Sequence, residues 1–357
     1  MNRIDRLRQV MDSQSESCFL IFNQFNITYL TGFNGHAATL LITPSENYLI
    51  TDYRYLEQAR SQVENITVIC RDRVVQSLGS LINDLLNKDE VNETAFEADH
   101  ISFSLWHEMK SQLDIKQTKP VSGLVENLRY IKDQNEIASI ASAASIADQA
   151  LLNILPLIKP GVTEHELATE LDYQMSKLGS EEVSFATILL FGPRCALPHG
   201  IPGNNPLKEG DFILLDFGAV IDGYHSDMTR TYIHGKPSNR QKEVFNLVRD
   251  AQQAVLDSIE EGVTGEYLNQ QSENVIMASP YAEYMGKGLG HGVGLEVHEL
   301  PFMNRDCPLI IENGCVITVE PGIYIPDWGG VRIEDDVVLT DGGLKILNSS
   351  AKELLEL

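Results

Sequence analysis

Short apolar runs alternate with amphipathic stretches over residues 1–124. Residues 18–22, 38–43, 48–51 and 66–70 are apolar and of strand length. Residues 52–63 and 75–86, between or after them, carry helical patterns. Strands mixed with helices at this spacing predict a small α/β domain over 1–124. The pattern changes after that. Asp133 is followed by Glu136, and Ile137, Ile140, Ala144, Ala147, Leu151 and Ile154 recur at intervals of three and four, the stripe of a core-facing helix. Pro160-Gly161 ends that segment. Thr163 with Glu166 forms a capping box for a second helix, striped by Leu167, Leu171, Met175 and Leu178 and closed by Gly179. Ser238 with Gln241 opens a third, running to about Glu261. Between and after these helices lie strand pairs. Residues 211–220 and 225–233 flank a turn at 221–224, and 314–320 and 330–339 flank a turn around Pro321-Gly322. Helices grouped with antiparallel hairpins predict an α+β domain over 125–357.

Composition narrows the function classes. The 357 residues hold 43% hydrophobic side chains, enough for a sizeable core and for two or three domains. Lys and Arg total 27 against 51 Asp and Glu, a net charge of −24. So acidic a chain repels phosphate backbones and anionic lipid, so neither nucleic acid nor a membrane is expected as a partner. Neither GxGxxG nor GxxxxGK[ST] occurs. The five cysteines, at 18, 70, 195, 307 and 315, are odd in number, widely spaced and without a CxxC pair. That is no disulfide framework or thiolate zinc site, and it fits a reducing cytoplasm. The N-terminus reads as a charged helix without the apolar run of a signal peptide. Apolar windows such as 186–191 are too short to span a bilayer.

Five positions stand out chemically. Asp216 lies in the apolar run Phe212-Ile213-Leu214-Leu215, and Asp227 follows across the turn. A carboxylate there is costly to bury unless paired or bound to metal, although either residue alone also fits a turn-facing or hydrogen-bonded structural Asp. His291 sits in Gly290-His291-Gly292-Val293-Gly294, where glycines let backbone approach closely. Glu320 ends the apolar strand Thr318-Val319, and Glu334 follows Arg332 at a spacing of two, on one strand face. Together these five offer four carboxylates and one imidazole, a donor set for two divalent ions such as manganese, cobalt or zinc. Without cations, four carboxylates would repel one another in a shared site. Two such ions can hold a bridging hydroxide at neutral pH.

The strings Gly-Asp-Phe-Ile-Leu-Leu-Asp-Phe-Gly-Ala (210–219), Ser-Asp-Met-Thr-Arg-Thr (226–231), Gly-His-Gly-Val-Gly-Leu-Glu-Val-His-Glu (290–299), Val-Glu-Pro-Gly-Ile-Tyr (319–324) and Gly-Val-Arg-Ile-Glu-Asp (330–335) resemble the Xaa-Pro peptidases. That family includes aminopeptidase P and prolidase. Upstream, Asn-Ile-Thr-Tyr-Leu-Thr-Gly-Phe (26–33) and Thr-Asp-Tyr-Arg-Tyr (51–55) are similar to its N-terminal domain, so the resemblance spans nearly the whole chain. It implies a creatinase-like α/β N-terminal domain and a C-terminal pita-bread catalytic domain. It implies two divalent metal ions, manganese foremost, with Asp216 on one, Asp227 and Glu334 bridging both, and His291 and Glu320 on the other. Glu320 would accept the proton of the bridging water. His199 and His298 would bind substrate and steady the tetrahedral oxyanion. Arg332 would orient Glu334, and Phe185 and Tyr324 would wall the proline pocket. Short proline-containing peptides would be the substrates and a homodimer the assembly.

One position departs from the family pattern. Aminopeptidase P-type relatives often carry a histidine four residues before the metal-binding one; here Lys287 stands there. A protonated ammonium donates hydrogen bonds but cannot accept one as a neutral imidazole does. A methionine aminopeptidase would lack the N-terminal domain, and a creatinase-like hydrolase or a silent binding protein would have lost ligands. The strings around Gly35-His36 and the compact length look more like aminopeptidase P, which releases the first residue from Xaa-Pro peptides; the alternative is a dipeptidase restricted to Xaa-Pro.

Overall fold

In the computed structural model, which describes residues 2–357, the apolar runs of the N-terminal part become strands of one sheet. They are β1 (Phe19–Ile21), β2 (Thr39–Ile42), β3 (Asn47–Thr51) and β4 (Thr67–Cys70), joined by β5 (Glu93–Glu97) and β6 (Gln117–Val121). The order is β4-β3-β2-β1-β5-β6. The β1-β2 and β2-β3 pairs are antiparallel, and the remaining pairs are parallel. The helices of this unit are α1 (Arg3–Ser13), α2 (Gln24–Thr31), α3 (Leu56–Gln62), α4 (Leu78–Lys88), α5 (Phe103–Lys110) and α6 (Glu126–Arg129). Helix α2 is hidden in the sequence because Ile27, Thr28 and Tyr29 favour strands. Its ends decide the matter. The Asn23 side chain accepts the N–H groups of Phe25 and Asn26, and Gly32 terminates the helix with φ +77°.

The chain divides between Arg129 and Tyr130. The second unit contains α7 (Gln134–Ile154), α8 (Glu164–Lys177), α9 (Asn239–Leu256) and α10 (Gly265–Met277). Capping boxes open the first three of these, at Asp133/Glu136, Thr163/Glu166 and Ser238/Gln241. Each satisfies two backbone donors that helix geometry leaves orphaned. By length and composition, residues 134–157 could cross a membrane, a stretch that the apolar-window reading overlooks. In the fold, Ala143, Ala147, Ala150, Leu151 and Ile154 of this segment pack into the core. Its buried Asp148 accepts hydrogen bonds from Ser349 and Ser350. It is a core helix.

A three-stranded sheet, β11 (Met228–Ile233), β8 (Phe212–Phe217) and β7 (Ile188–Phe191), packs under α7 and α8. The short ladder β9 (Val220–Ile221) with β10 (Tyr224–His225) closes the turn between β8 and β11. Five further strands form a second sheet in the order β13-β12-β14-β17-β18: β12 (Gly290–Gly292), β13 (Glu299–Met303), β14 (Val316–Val319), β17 (Asp335–Thr340) and β18 (Gly343–Ile346). The last pair is β15 (Gly322–Ile325) with β16 (Gly329–Arg332).

The expected hairpin of 314–320 with 330–339 is therefore two ladders. Strand β14 pairs with β17, while β15 and β16 pair with each other. The chain leaves the sheet at Glu320 and returns at Asp335, so Glu320 and Glu334 both fall where the strands break. Arg332 ends β16, so it and Glu334 do not share one continuous strand.

Candidate metal centre

The β8–β11 hairpin places the two aspartates. Asp216 faces Thr229 across the ladder, which ends at the Phe217–Met228 pair. Beyond it a Cβ on Gly218 would lie 1.8 Å from the Ser226 carbonyl oxygen, so only glycine lets the two backbones cross. Asp227 sits in that break, its N–H donating to Asp336 Oδ2 at 2.9 Å. On the other sheet, the His291 N–H donates to Thr318 Oγ1 at 3.0 Å, and Thr318 Oγ1 donates to Glu320 Oε1 at 3.1 Å. A Cβ on Gly292 would lie 2.0 Å from the Leu300 carbonyl oxygen, so the backbone beside His291 is as closely packed.

The imidazole of His291 has a defined direction. Its Nδ1 lies 3.0 Å from the Gly292 carbonyl, which assigns the proton to Nδ1. Nε2 then faces carboxylates, 3.7 Å from Asp227 Oδ2 and 3.3 Å from Glu320 Oε1. Ligating atoms of Asp227, His291 and Glu334 all lie within 4.8 Å of one another. Glu334 receives the Thr229 hydroxyl at 2.6 Å, and its own N–H reaches the Thr229 carbonyl at 3.1 Å. Arg332 pairs directly with Asp216 through Nη2. Its Nε donates to Thr229 Oγ1 at 2.9 Å and its Nη1 to the Tyr324 hydroxyl at 2.7 Å. Arg332 therefore touches Glu334 only through Thr229.

Burial and the neighbouring carboxylates push the carboxyl groups of Asp227 and Glu334 well above the ordinary range. Burial raises Asp216 as well, against the pull of Arg332. Glu320 goes the other way: burial would raise it, but His291 and Arg332 outweigh burial and hold it low. Burial likewise pushes Asp336, behind Asp227, up to about 8.

Asp216 Oδ1, Asp227 Oδ1 and Glu334 Oε1 are buried and accept no hydrogen bond. Three orphaned carboxylate oxygens beside an outward-facing imidazole nitrogen are costly in a protein interior and are what a divalent cation satisfies. The residues fit a metal.

A cavity of about 820 Å³ opens over this cluster. Asp216, Asp227, His291, Glu320 and Glu334 all line it, as do His199, His298, Arg332, Phe185 and Tyr324. The His298 ring packs edge-on against His291, with centroids 4.3 Å apart. Burial and the neighbouring imidazoles lower His298, which keeps it neutral at pH 7. Three participants escape the sequence reading: Thr229, Thr318 and Asp336. The two threonines lie two residues from Asp227 and Glu320, just inside the strand ends that those residues adjoin, and that spacing is the one signal the sequence offers for them.

Together, an α/β unit and an α+β unit with a buried acidic cluster under an open cavity define a metal-dependent peptidase of the pita-bread fold. The chain belongs to metallopeptidase family M24, whose model matches residues 138–341, and residues 3–131 match the Creatinase/Prolidase N-terminal domain. It is 38% identical to an Xaa-Pro dipeptidase structure from Bacillus anthracis, with TM-score 0.95 and 99% of both chains covered. It is 35% identical to an X-Pro aminopeptidase structure from Thermotoga maritima, with TM-score 0.92 and 100% of both chains covered. An Xaa-Pro dipeptidase from Pyrococcus horikoshii is 34% identical over 99% of this chain and 98% of its own.

Proposed function

We propose that the protein is an Xaa-Pro dipeptidase that hydrolyses the bond before proline with two divalent metal ions, manganese foremost, cobalt and zinc also suiting the donors. The orphaned carboxylate oxygens of Asp216, Asp227 and Glu334 around His291 carry this reading. Those four residues and Glu320 would hold the ions, which when bound supply a Lewis acid and an activated water. Glu320 is held low, hence ionised at neutral pH, and its partly exposed side chain accepts the proton of the attacking water. His199 and His298 on the cavity wall donate hydrogen bonds to the substrate carbonyl as charge develops there. Arg332 fixes Asp216 and the Tyr324 hydroxyl, leaving the Tyr324 ring to form a proline wall with Phe185. A dedicated wall suits proline, which has no N–H for an ordinary peptidase to grip.

The N-terminal strings lean towards aminopeptidase P. The relatives weigh the other way, since the Bacillus anthracis and Pyrococcus horikoshii proteins are Xaa-Pro dipeptidases and the Thermotoga maritima protein is an aminopeptidase. The free state of all five cysteines agrees with work in the cytoplasm, and a homodimer is the expected assembly. Incubating metal-free and manganese-loaded protein with Ala-Pro and Ala-Pro-Ala, with products identified by mass, tests the reading. Manganese-dependent cleavage of Ala-Pro supports it. Release of alanine from the tripeptide alone would make the protein an aminopeptidase P-type enzyme.

A further inference from the structure

Two of the residues lining the cavity have cationic side chains, Arg332 and Lys287. Arg332 is committed to Asp216, Thr229 and Tyr324. Lys287 is not committed: its side chain is exposed, and among the described residues none forms a hydrogen bond or ion pair with its ammonium. Its backbone is nevertheless fixed. The Gly286 N–H donates to the Gly322 carbonyl at 2.9 Å, and the Leu289 carbonyl accepts the Glu320 N–H at 2.9 Å. Met285 bridges to Ile323. Residues 287–288 thus form a short bulge tied at both ends to the segment that carries Glu320, with Gly288 turning at φ +84°.

The cavity is otherwise acidic, with Asp216, Asp227, Glu283, Glu320 and Glu334 on its wall. A dipeptide with proline second brings one cation, its amino group, and one anion, the proline carboxylate. With Asp216, Asp227, Glu320 and Glu334 engaged by the metal ions, Glu283 is left on the wall to attract the amino group, and Lys287 is the uncommitted cation left for the carboxylate. From these placements, the geometry points to Lys287 as the group that receives the free carboxylate of an Xaa-Pro dipeptide and so sets the specificity for dipeptides. This rests on the dipeptidase reading above. An ammonium on a flexible four-carbon stem reaches roughly 6 Å from its Cα and accepts a carboxylate in many orientations. An imidazole at this place would be mostly neutral at pH 7 and would supply no full charge. In a longer peptide the same proline carbonyl is an uncharged amide, so the ammonium gains little from it. Glu283 is exposed on the same wall, and its carboxylate would offset part of the Lys287 charge, so a moderate effect is expected.

The test compares manganese-loaded wild type, Lys287→Ala and Lys287→Arg on Ala-Pro and on Ala-Pro-amide. Affinity is read by calorimetry with each ligand under conditions of slow turnover, and KM and kcat by product release. Lys287→Ala should weaken Ala-Pro binding and raise its KM by about tenfold, with kcat nearly kept and the amide shifted less than twofold. Lys287→Arg should restore most of the loss. Equal shifts for acid and amide, or no shift for either, would overturn the carboxylate role while leaving the dipeptidase reading intact. If the wild type bound and cleaved only peptides extended beyond proline, both would fall.

Discussion

Thr229 gives its hydroxyl proton to Glu334 across 2.6 Å. The same oxygen accepts Nε of Arg332 at 2.9 Å, so one buried hydroxyl sets the rotamer of a carboxylate and of the guanidinium that holds Asp216. A carboxylate that loses such a partner keeps its charge but not its aim. Thr229→Val preserves the shape and removes the hydroxyl. It should weaken manganese binding and kcat/KM by about 10- to 100-fold with the secondary structure unchanged. Calorimetric manganese titration alongside circular dichroism checks this, and unchanged metal affinity would show that Thr229 is packing only.

Asp227 shows the cost of the cluster itself. It is buried, with Asp216, Glu320, Glu334 and Asp336 raising its carboxyl, and one of its oxygens accepts no hydrogen bond. Stability and function therefore oppose each other here. Asp227→Asn should make the metal-free protein more stable at pH 7, by about 1–3 kcal/mol, or several degrees in thermal midpoint. The same change should abolish the rise in midpoint that manganese gives the wild type. Thermal scans of both proteins with and without manganese decide it. A metal-free variant less stable than wild type would mean that the cluster is not electrostatically strained.

What was legible in the chain was local or linear. Asp133/Glu136, Thr163/Glu166 and Ser238/Gln241 announce helix starts because a capping box is complete within four residues. The motifs around Asp216, His291, Glu320 and Glu334 name candidates because a charge in an apolar run asks for a reason. Pairing was not legible. Alternation says that Val316–Val319 is a strand but not that its partner is Asp335–Thr340 across an intervening hairpin. Thr229 and Thr318 stayed hidden because threonine is an ordinary strand residue. The helix at 134–154 was legible as a core-facing stripe, but its apolar length was passed over because its alanines and isoleucines are broken by Asp148, which folding satisfies with Ser349 and Ser350.

Glu164, at the start of α8, is a support for the loop that carries His199. Its fully buried carboxylate accepts the Phe191 N–H at 2.9 Å, the Gly203 N–H at 2.8 Å and Nε of Arg194 at 3.0 Å. Those three partners bracket residues 191–203, with His199 between them. Glu164→Ala should cost about 2–4 kcal/mol, because two backbone donors lose a charged acceptor in the interior. It should also lower turnover of Xaa-Pro peptides while manganese affinity holds, since no residue of the acidic cluster contacts this loop end through Glu164. Urea midpoints and metal titration separate the two effects. A parallel loss of metal affinity would place Glu164 in the support of the cluster instead.

Asp52 offers a test of electrostatics far along the chain from the acidic cluster. In the N-terminal unit its buried carboxylate takes Nε and Nη2 of Arg54 at 3.0 and 2.8 Å and Nη2 of Arg73 at 2.6 Å. The hydrogen bonds from Arg54 hold the carboxyl at about 2, below its ordinary 3.8. A depressed acid stabilises the folded state wherever it is ionised in both states. Its contribution is complete above the unfolded value, and it is lost as the pH falls from there through about 2. Asp52→Asn should therefore lower the urea midpoint at pH 7 and at pH 5 by the same amount, and the gap to wild type should narrow below pH 4. Circular dichroism melts in urea at pH 7, 5 and 3 measure that gap. A gap that stayed constant to pH 3 would mean that Asp52 acts through its shape and neutral hydrogen bonds, which Asn reproduces poorly, and not through its charge on Arg54 and Arg73.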